Sequence, residues 1–222
     1  METISQNILN IISSALMEFA LSKIKDIDTY RAVRGLSYYI LGEWKRAAKD
    51  FYSIKNNYKQ WQVKYIMSIG LSLACDDKLS DKDKFIYGNK ASELLNDLSH
   101  DSNIPEDLKA EILIRLGGIK KIAWFAKRQG LNLECRRDNE IDEILMILTD
   151  GLEAAKKLKQ IKWVNEGLYQ FGCTYAMIGD DNETQKYYDA LDQESDKGTK
   201  LLKRIKERYN PKMNLHQDLK DN

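Results

Sequence analysis

The sequence predicts an all-α fold, a chain of about ten helices in antiparallel pairs. Three observations predict it. Breakers are scarce: 222 residues hold 2 prolines and 12 glycines, and Lys, Glu, Leu, Ile and Ala, which lose least on entering a helix, abound. Apolar residues recur at steps of three and four rather than two. A Gly–Tyr–Gly pattern occurs twice, each time where one such stretch gives way to the next.

Residues 3–25 place Ile4, Ile8, Ile11, Ile12, Ala15, Leu16, Phe19 and Ala20 on one stripe. Residues 1–26 therefore read as an N-terminal packing or capping helix, with a broad apolar face through which two copies could pair. Residues 28–41 and 43–57 form the next pair. The first carries Val33, Leu36, Tyr39 and Ile40, the second Trp44, Ala47, Ala48, Phe51 and Ile54. Gly42 stands between them, where a helix end favours positive φ, and so short a link makes the helices antiparallel.

Residues 59–75 and 81–99 read as a second pair, separated by the polar run DDKLSDKD. FIYG, at 85–88, resembles a strand in isolation, but its flanks read as helix. Residues 106–129 and 138–159 form a third pair, with Pro105 at the start, where its missing N–H costs nothing, and LNLECRRDN as the break. Residues 162–178 and 181–195 form a fourth, turning at Gly179 and Asp180. A basic helix at 198–209 and a polar, frayed tail at 210–222 complete the chain.

A chain of this length fits one domain or a single helical array. Lys and Arg number 35 against 34 Asp and Glu, so there is no global pull toward nucleic acid or membrane. Cys75, Cys135 and Cys173 are spaced by 60 and 38 residues, which fits neither a paired redox motif nor a zinc finger. No run reaches the ~18 apolar residues of a membrane span. The start METISQN lacks the basic opening of a secretory signal, and a cytoplasmic location without membrane partner is expected.

The pattern RGLSYYILGEW at 34–44 repeats as FGCTYAMIGDD at 171–181. Gly35, Tyr38 and Gly42 match Gly172, Tyr175 and Gly179, 137 residues on, close to four units of 34. Glycine inside a helix costs about 1 kcal/mol relative to alanine, and a close approach by the returning helix would justify it. Ala47 and Phe51, four apart on that helix, offer one small and one large contact.

These residues resemble the tetratricopeptide repeat. Over 28–61, Gly35, Tyr38, Gly42, Ala47 and Phe51 fall at that family's signature positions. Ile54 replaces a small residue, and no proline closes the unit. Over 165–198, Phe171, Gly172, Tyr175, Gly179, Asp180 and Tyr188 match, with Thr184 where alanine is usual. Gly70, Ala91 and Leu116–Gly117 are counterparts in degenerate middle units. The resemblance implies a right-handed superhelix of antiparallel helix pairs, an α-solenoid array over 1–209, with an extended concave surface. It further implies a non-enzymatic adaptor, chaperone or regulatory subunit that binds a helix or peptide of a partner protein. In the family register Ala32, Leu36, Tyr39, Lys64, Leu71, Ala74, Tyr169 and Cys173 line the groove. Ala32 and Leu36 stand where co-chaperone members carry the Lys and Asn of a carboxylate clamp, so no such clamp is expected.

No metal or nucleotide motif accompanies this pattern. His100 and His216 lack ligand spacing, and the acidic run at 76–84 lacks the glycine and closing glutamate of a calcium loop. No catalytic residue, metal or cofactor is expected. Two basic clusters offer an alternative, a nucleic-acid-associated regulator. Between 109 and 137, eight cations, Lys120, Lys121, Lys127 and Arg128 among them, face two acids. Between 197 and 212, seven, Lys203 and Arg204 among them, face one. Each cluster is a local +6. Solvated helix faces explain the clusters equally well, and core packing explains Trp124 and Phe125 better than base stacking does.

Overall fold

A computed structural model describes residues 24–74, 76 and 78–194. Regular structure among those residues is entirely α-helical. The helices are α1 (Ile27–Ile40), α2 (Trp44–Ile54), α3 (Lys59–Ala74), α4 (Asp81–Ser99), α5 (Glu106–Gly130), α6 (Asn139–Lys157), α7 (Ile161–Met177) and α8 (Asp181–Glu194). The stretch at 85–88 lies inside α4. The expected helix at 3–25, but for its last two residues, lies outside the described residues. So do the basic helix at 198–209, with Lys203 and Arg204, and the tail.

Packing divides the chain between residues 75 and 76 into two compact units. In the first, α1 packs on α2 and α2 on α3. In the second, each helix from α4 to α8 packs on the next, and α5 also touches α7. The expected pairing of 59–75 with 81–99 straddles the division, and the partner of α4 is α5 instead. The reason is the face that α4 buries, Gly88, Ala91, Ser92, Leu95 and Leu98. Its small residues admit α5 closely, with Gly88 against Ala123.

Four helices start on side-chain caps. Asp26 accepts from the Thr29 N–H, Ser80 from that of Asp83, Asp138 from that of Ile141 and Asp180 from that of Glu183, each satisfying a donor the helix itself leaves orphaned. Four helices stop in one geometry. After α1, the Gly42 N–H bonds Tyr39 C=O and the Glu43 N–H bonds Tyr38 C=O. After α7, Gly179 and Asp180 repeat this on Ala176 and Tyr175. These are Schellman ends, and they need a left-handed residue: both glycines have φ +78°. After α5 and α6 the same position falls to Asn132 and Lys159, at φ 53° and 54°.

This difference is testable by urea unfolding. Gly42→Ala and Gly179→Ala are each expected to cost about 1–2 kcal/mol. At Gly179 an added Cβ meets nothing within 4 Å, so the loss there would report backbone strain alone. Lys159→Gly is expected to raise stability by up to about 1 kcal/mol. An unchanged or lowered midpoint for Lys159→Gly would mean that the lysine side chain holds the end by contacts that outweigh its strain.

Candidate functional site

The site begins with the interior of the first unit. Along α1, Ala32, Gly35 and Tyr39 are buried; along α2, Ala47, Ala48, Asp50, Phe51 and Ile54. A Cβ built on Gly35 would stand 2.8 Å from Phe51 Cε1, so glycine is what lets this ring press against α1. The ring also stacks on Trp61 of α3, with centroids 5.8 Å apart and planes at 12°. Arg34 locks the same pair of helices. Its Nε and Nη2 donate to the two Asp50 oxygens at 2.8 and 2.6 Å, and its Nη1 donates to the Tyr30 hydroxyl oxygen at 3.0 Å. Such forked pairing fixes direction as well as distance.

Packing of this kind leaves a cavity of about 590 Å³ in the first unit. Its apolar lining comes from Ala32, Val33 and Leu36 on α1, Ile54 at the end of α2, and Tyr58 and Trp61 around the start of α3. Its polar lining is Asp26, Asp28, Thr29, Asn57 and Gln60. Asn57 Nδ2 donates to Asp28 Oδ2 at 3.0 Å, tying the link after α2 to the first turn of α1. Hydrogen bonds from the Thr29 side chain and from the Thr29 N–H, the latter at 2.7 Å, hold the Asp26 carboxyl below its ordinary value. A volume in this range suits a short peptide segment or a small ligand.

Of the residues expected in a groove, Ala32 and Leu36 line this cavity. Tyr39 is buried instead, its hydroxyl donating to Met67 Sδ at 3.5 Å. The Lys64 ammonium lies 4.9 Å from the centre of its ring, so these two expected residues meet each other. Leu71 is buried, and nothing is described of the Ala74 side chain. Cys173 is fully buried in the core of the second unit, with Trp163, Leu168 and Leu191, and Tyr169 packs against that cluster. Sequence reasoning missed Asp26, Asp28, Asn57 and Trp61. The first two were within reach, since DIDT ahead of an apolar run is a helix-start signal. Trp61 was not, because its place follows from how α3 packs on α2.

The cluster at 109–137 has a different character in three dimensions. Lys109 pairs with Glu106 at 3.1 Å, Arg115 with Glu166 at 2.9 Å and Lys120 with Glu143 at 2.6 Å. Lys127 pairs with Glu140 at 2.6 Å, Arg136 with Glu134 at 2.5 Å and Arg137 with Asp142 at 2.7 Å. Arg128 pairs with Asp138. Lys121 is buried and donates to Gln170 Oε1 at 2.6 Å. Most of these acids follow the cluster in sequence and return to it on α6, so the local charge is offset well within a Debye length. Trp124 is 2% exposed, and its Nε1–H donates to Asp138 Oδ2 at 3.1 Å; Phe125 packs on the same core. Both are packing residues rather than a stacking platform.

Among the described residues no group of three or more His, Cys, Asp and Glu could hold a metal ion, and no helix is long and apolar enough to cross a membrane. No protein-family model matches the chain, and no curated protein or solved structure is significantly similar to it.

Proposed function

We propose that the chain is a non-enzymatic protein-interaction module, an adaptor, chaperone or regulatory subunit that seats a peptide segment of its partner in the first unit. The observation that carries this reading is the cavity of about 590 Å³ lined by Ala32 and Leu36, on the helix face that the repeat resemblance assigns to binding. The α1–α2 hairpin supports the resemblance itself, since Gly35, Gly42 and Phe51 each do the work their signature positions imply. The proposal extends with the resemblance to a right-handed superhelix of such pairs and to a cytoplasmic setting. A nucleic-acid reading draws no support from 109–137, where seven cations are ion-paired within their own unit and the eighth is buried.

The test is capture of partners from host lysate at low and high salt, followed by direct titration of each purified protein recovered. The control is Val33→Gln with Leu36→Gln, which makes the floor polar without changing charge. Val33 is 40% exposed and glutamine is a good helix former, so this variant should fold. A protein that binds directly at both salts and loses at least about tenfold in affinity to the control supports the reading. Recovery of nucleic acid alone, eluted by salt and indifferent to the control, would overturn it.

A further inference from the structure

The lining of the cavity points to the chemistry of its occupant, an inference that rests on the reading just given. We propose that the seated segment is extended and carries a lysine or arginine about three to four residues from an apolar side chain. Two carboxylates, Asp26 and Asp28, stand at one end of the lining, and no cation is among the described residues that line it. Arg31 reaches Asp28 only at 3.7 Å, and both side chains are exposed; such a pair is weak and readily exchanged. Asp26 gives its carboxylate to the Thr29 N–H, which satisfies a hydrogen bond and leaves the charge. Farther along α1 the lining is apolar, with Val33 and Leu36, and Trp61 of α3 also lines it.

Asp28 and Leu36 are eight residues apart on α1, a rise of about 12 Å. An extended chain covers that in about three to four residues. The extended form bridges the two ends with the fewest residues to order. A bound cation then faces Asp26 and Asp28 while an apolar group displaces water from Leu36 and Trp61.

A random dodecapeptide library displayed on phage tests this without presupposing a sequence. It is selected on the full chain at low salt and counter-selected on the Val33→Gln, Leu36→Gln variant. The expected winners carry Lys or Arg three or four positions from a large apolar residue. A synthetic winner is expected to bind Asp26→Asn with Asp28→Asn about five- to tenfold more weakly. Asparagine keeps the helix cap and can still accept the Asn57 bond, so lost charge is what this variant measures. Acidic or charge-indifferent winners, or equal binding to the asparagine variant, would overturn the cationic occupant while leaving the cavity reading in place. Winners that ignore the glutamine variant, or no winners at all, would overturn both.

Discussion

Glu166→Gln is expected to destabilise the second unit by about 2–4 kcal/mol, the cost of removing one carboxylate charge from a mostly buried ionic network. The carboxylate lies between α7 and α5. Its Oε1 accepts from Arg115 Nη1 at 2.9 Å and from Gln170 Nε2 at 2.9 Å, and Gln170 Oε1 accepts from Lys121 Nζ at 2.6 Å. Lys121 is 2% exposed, and the Arg115 and Glu166 side chains 14% and 21%, so water replaces the lost charge only in part. Burial pushes the Glu166 carboxyl up, but Arg115, the Gln170 amide, Lys121 and Lys162 together hold it below its ordinary value of 4.5. A carboxyl depressed in the folded state contributes stability that is present above its unfolded pKa and lost as pH falls through the folded one. The gap between wild type and Glu166→Gln should therefore be constant from neutral pH down to roughly pH 5 and shrink below it. Lys121→Met with Gln170→Met removes the Lys121–Gln170 bond and also one donor to Glu166, and is expected to cost about 1–3 kcal/mol. Urea unfolding with hydrogen exchange read along α5 and α7 measures all three. A loss below about 1 kcal/mol, or a gap that ignores pH, would mean that water solvates the network.

Helix boundaries were legible because they are set locally. The glycines at 42 and 179 mark ends that any continuation would strain, and both sit in the left-handed region. Which helix pairs with which was less legible, because a long polar link such as 75–80 does not commit its flanks to each other. There the outcome was decided by the small face of α4 and by α5, whose 25 residues are buried on several sides. The glycine suspected in the middle of that helix, Gly117, meets α6: an added Cβ would stand 2.5 Å from Leu148 Cδ2. At 35 the close approach comes from the returning helix, as the sequence implied; at 117, where the sequence offered only a repeat counterpart, it comes from α6.

The charge at 109–137 shows what a window along the chain misreads. The count ends at Arg137, and Asp138, Glu140, Asp142 and Glu143 come next. Their helix turns back on α5, and four of the cations end in their carboxylates. Net charge is a property of neighbours in space, and a hairpin makes neighbours of residues that a linear window separates. For the same reason the rim acids of the cavity were not seen as a pair in the sequence: only the return of the chain after α2, tied to Asp28 through Asn57, makes Asp26 and Asp28 part of one lining.

Phe51→Ala is expected to cost the first unit about 3–5 kcal/mol and to abolish binding at the cavity. The ring is fully buried. It fills the space over Gly35 and stacks on Trp61, which itself lines the cavity. Removing it takes away the lost transfer energy, leaves a void that two helices and a turn cannot fully close, and unseats the indole. Size coupling separates this from a general loss of hydrophobicity. Gly35→Ala alone should be unfavourable by about 1–2 kcal/mol, because a methyl at 2.8 Å from the ring outweighs the gain of about 1 kcal/mol in helix propensity. In a Phe51→Leu background the methyl has room, so the same change should become neutral or stabilising. The double-mutant cycle is then expected to show a coupling of at least about 1 kcal/mol, measured by urea unfolding with hydrogen exchange along α1. Additive effects would mean that the ring yields freely to the methyl. Glycine at 35 would then serve something other than the approach of Phe51, and the link from the Gly–Tyr–Gly pattern through Phe51 to Trp61 and the cavity would be broken at its first step.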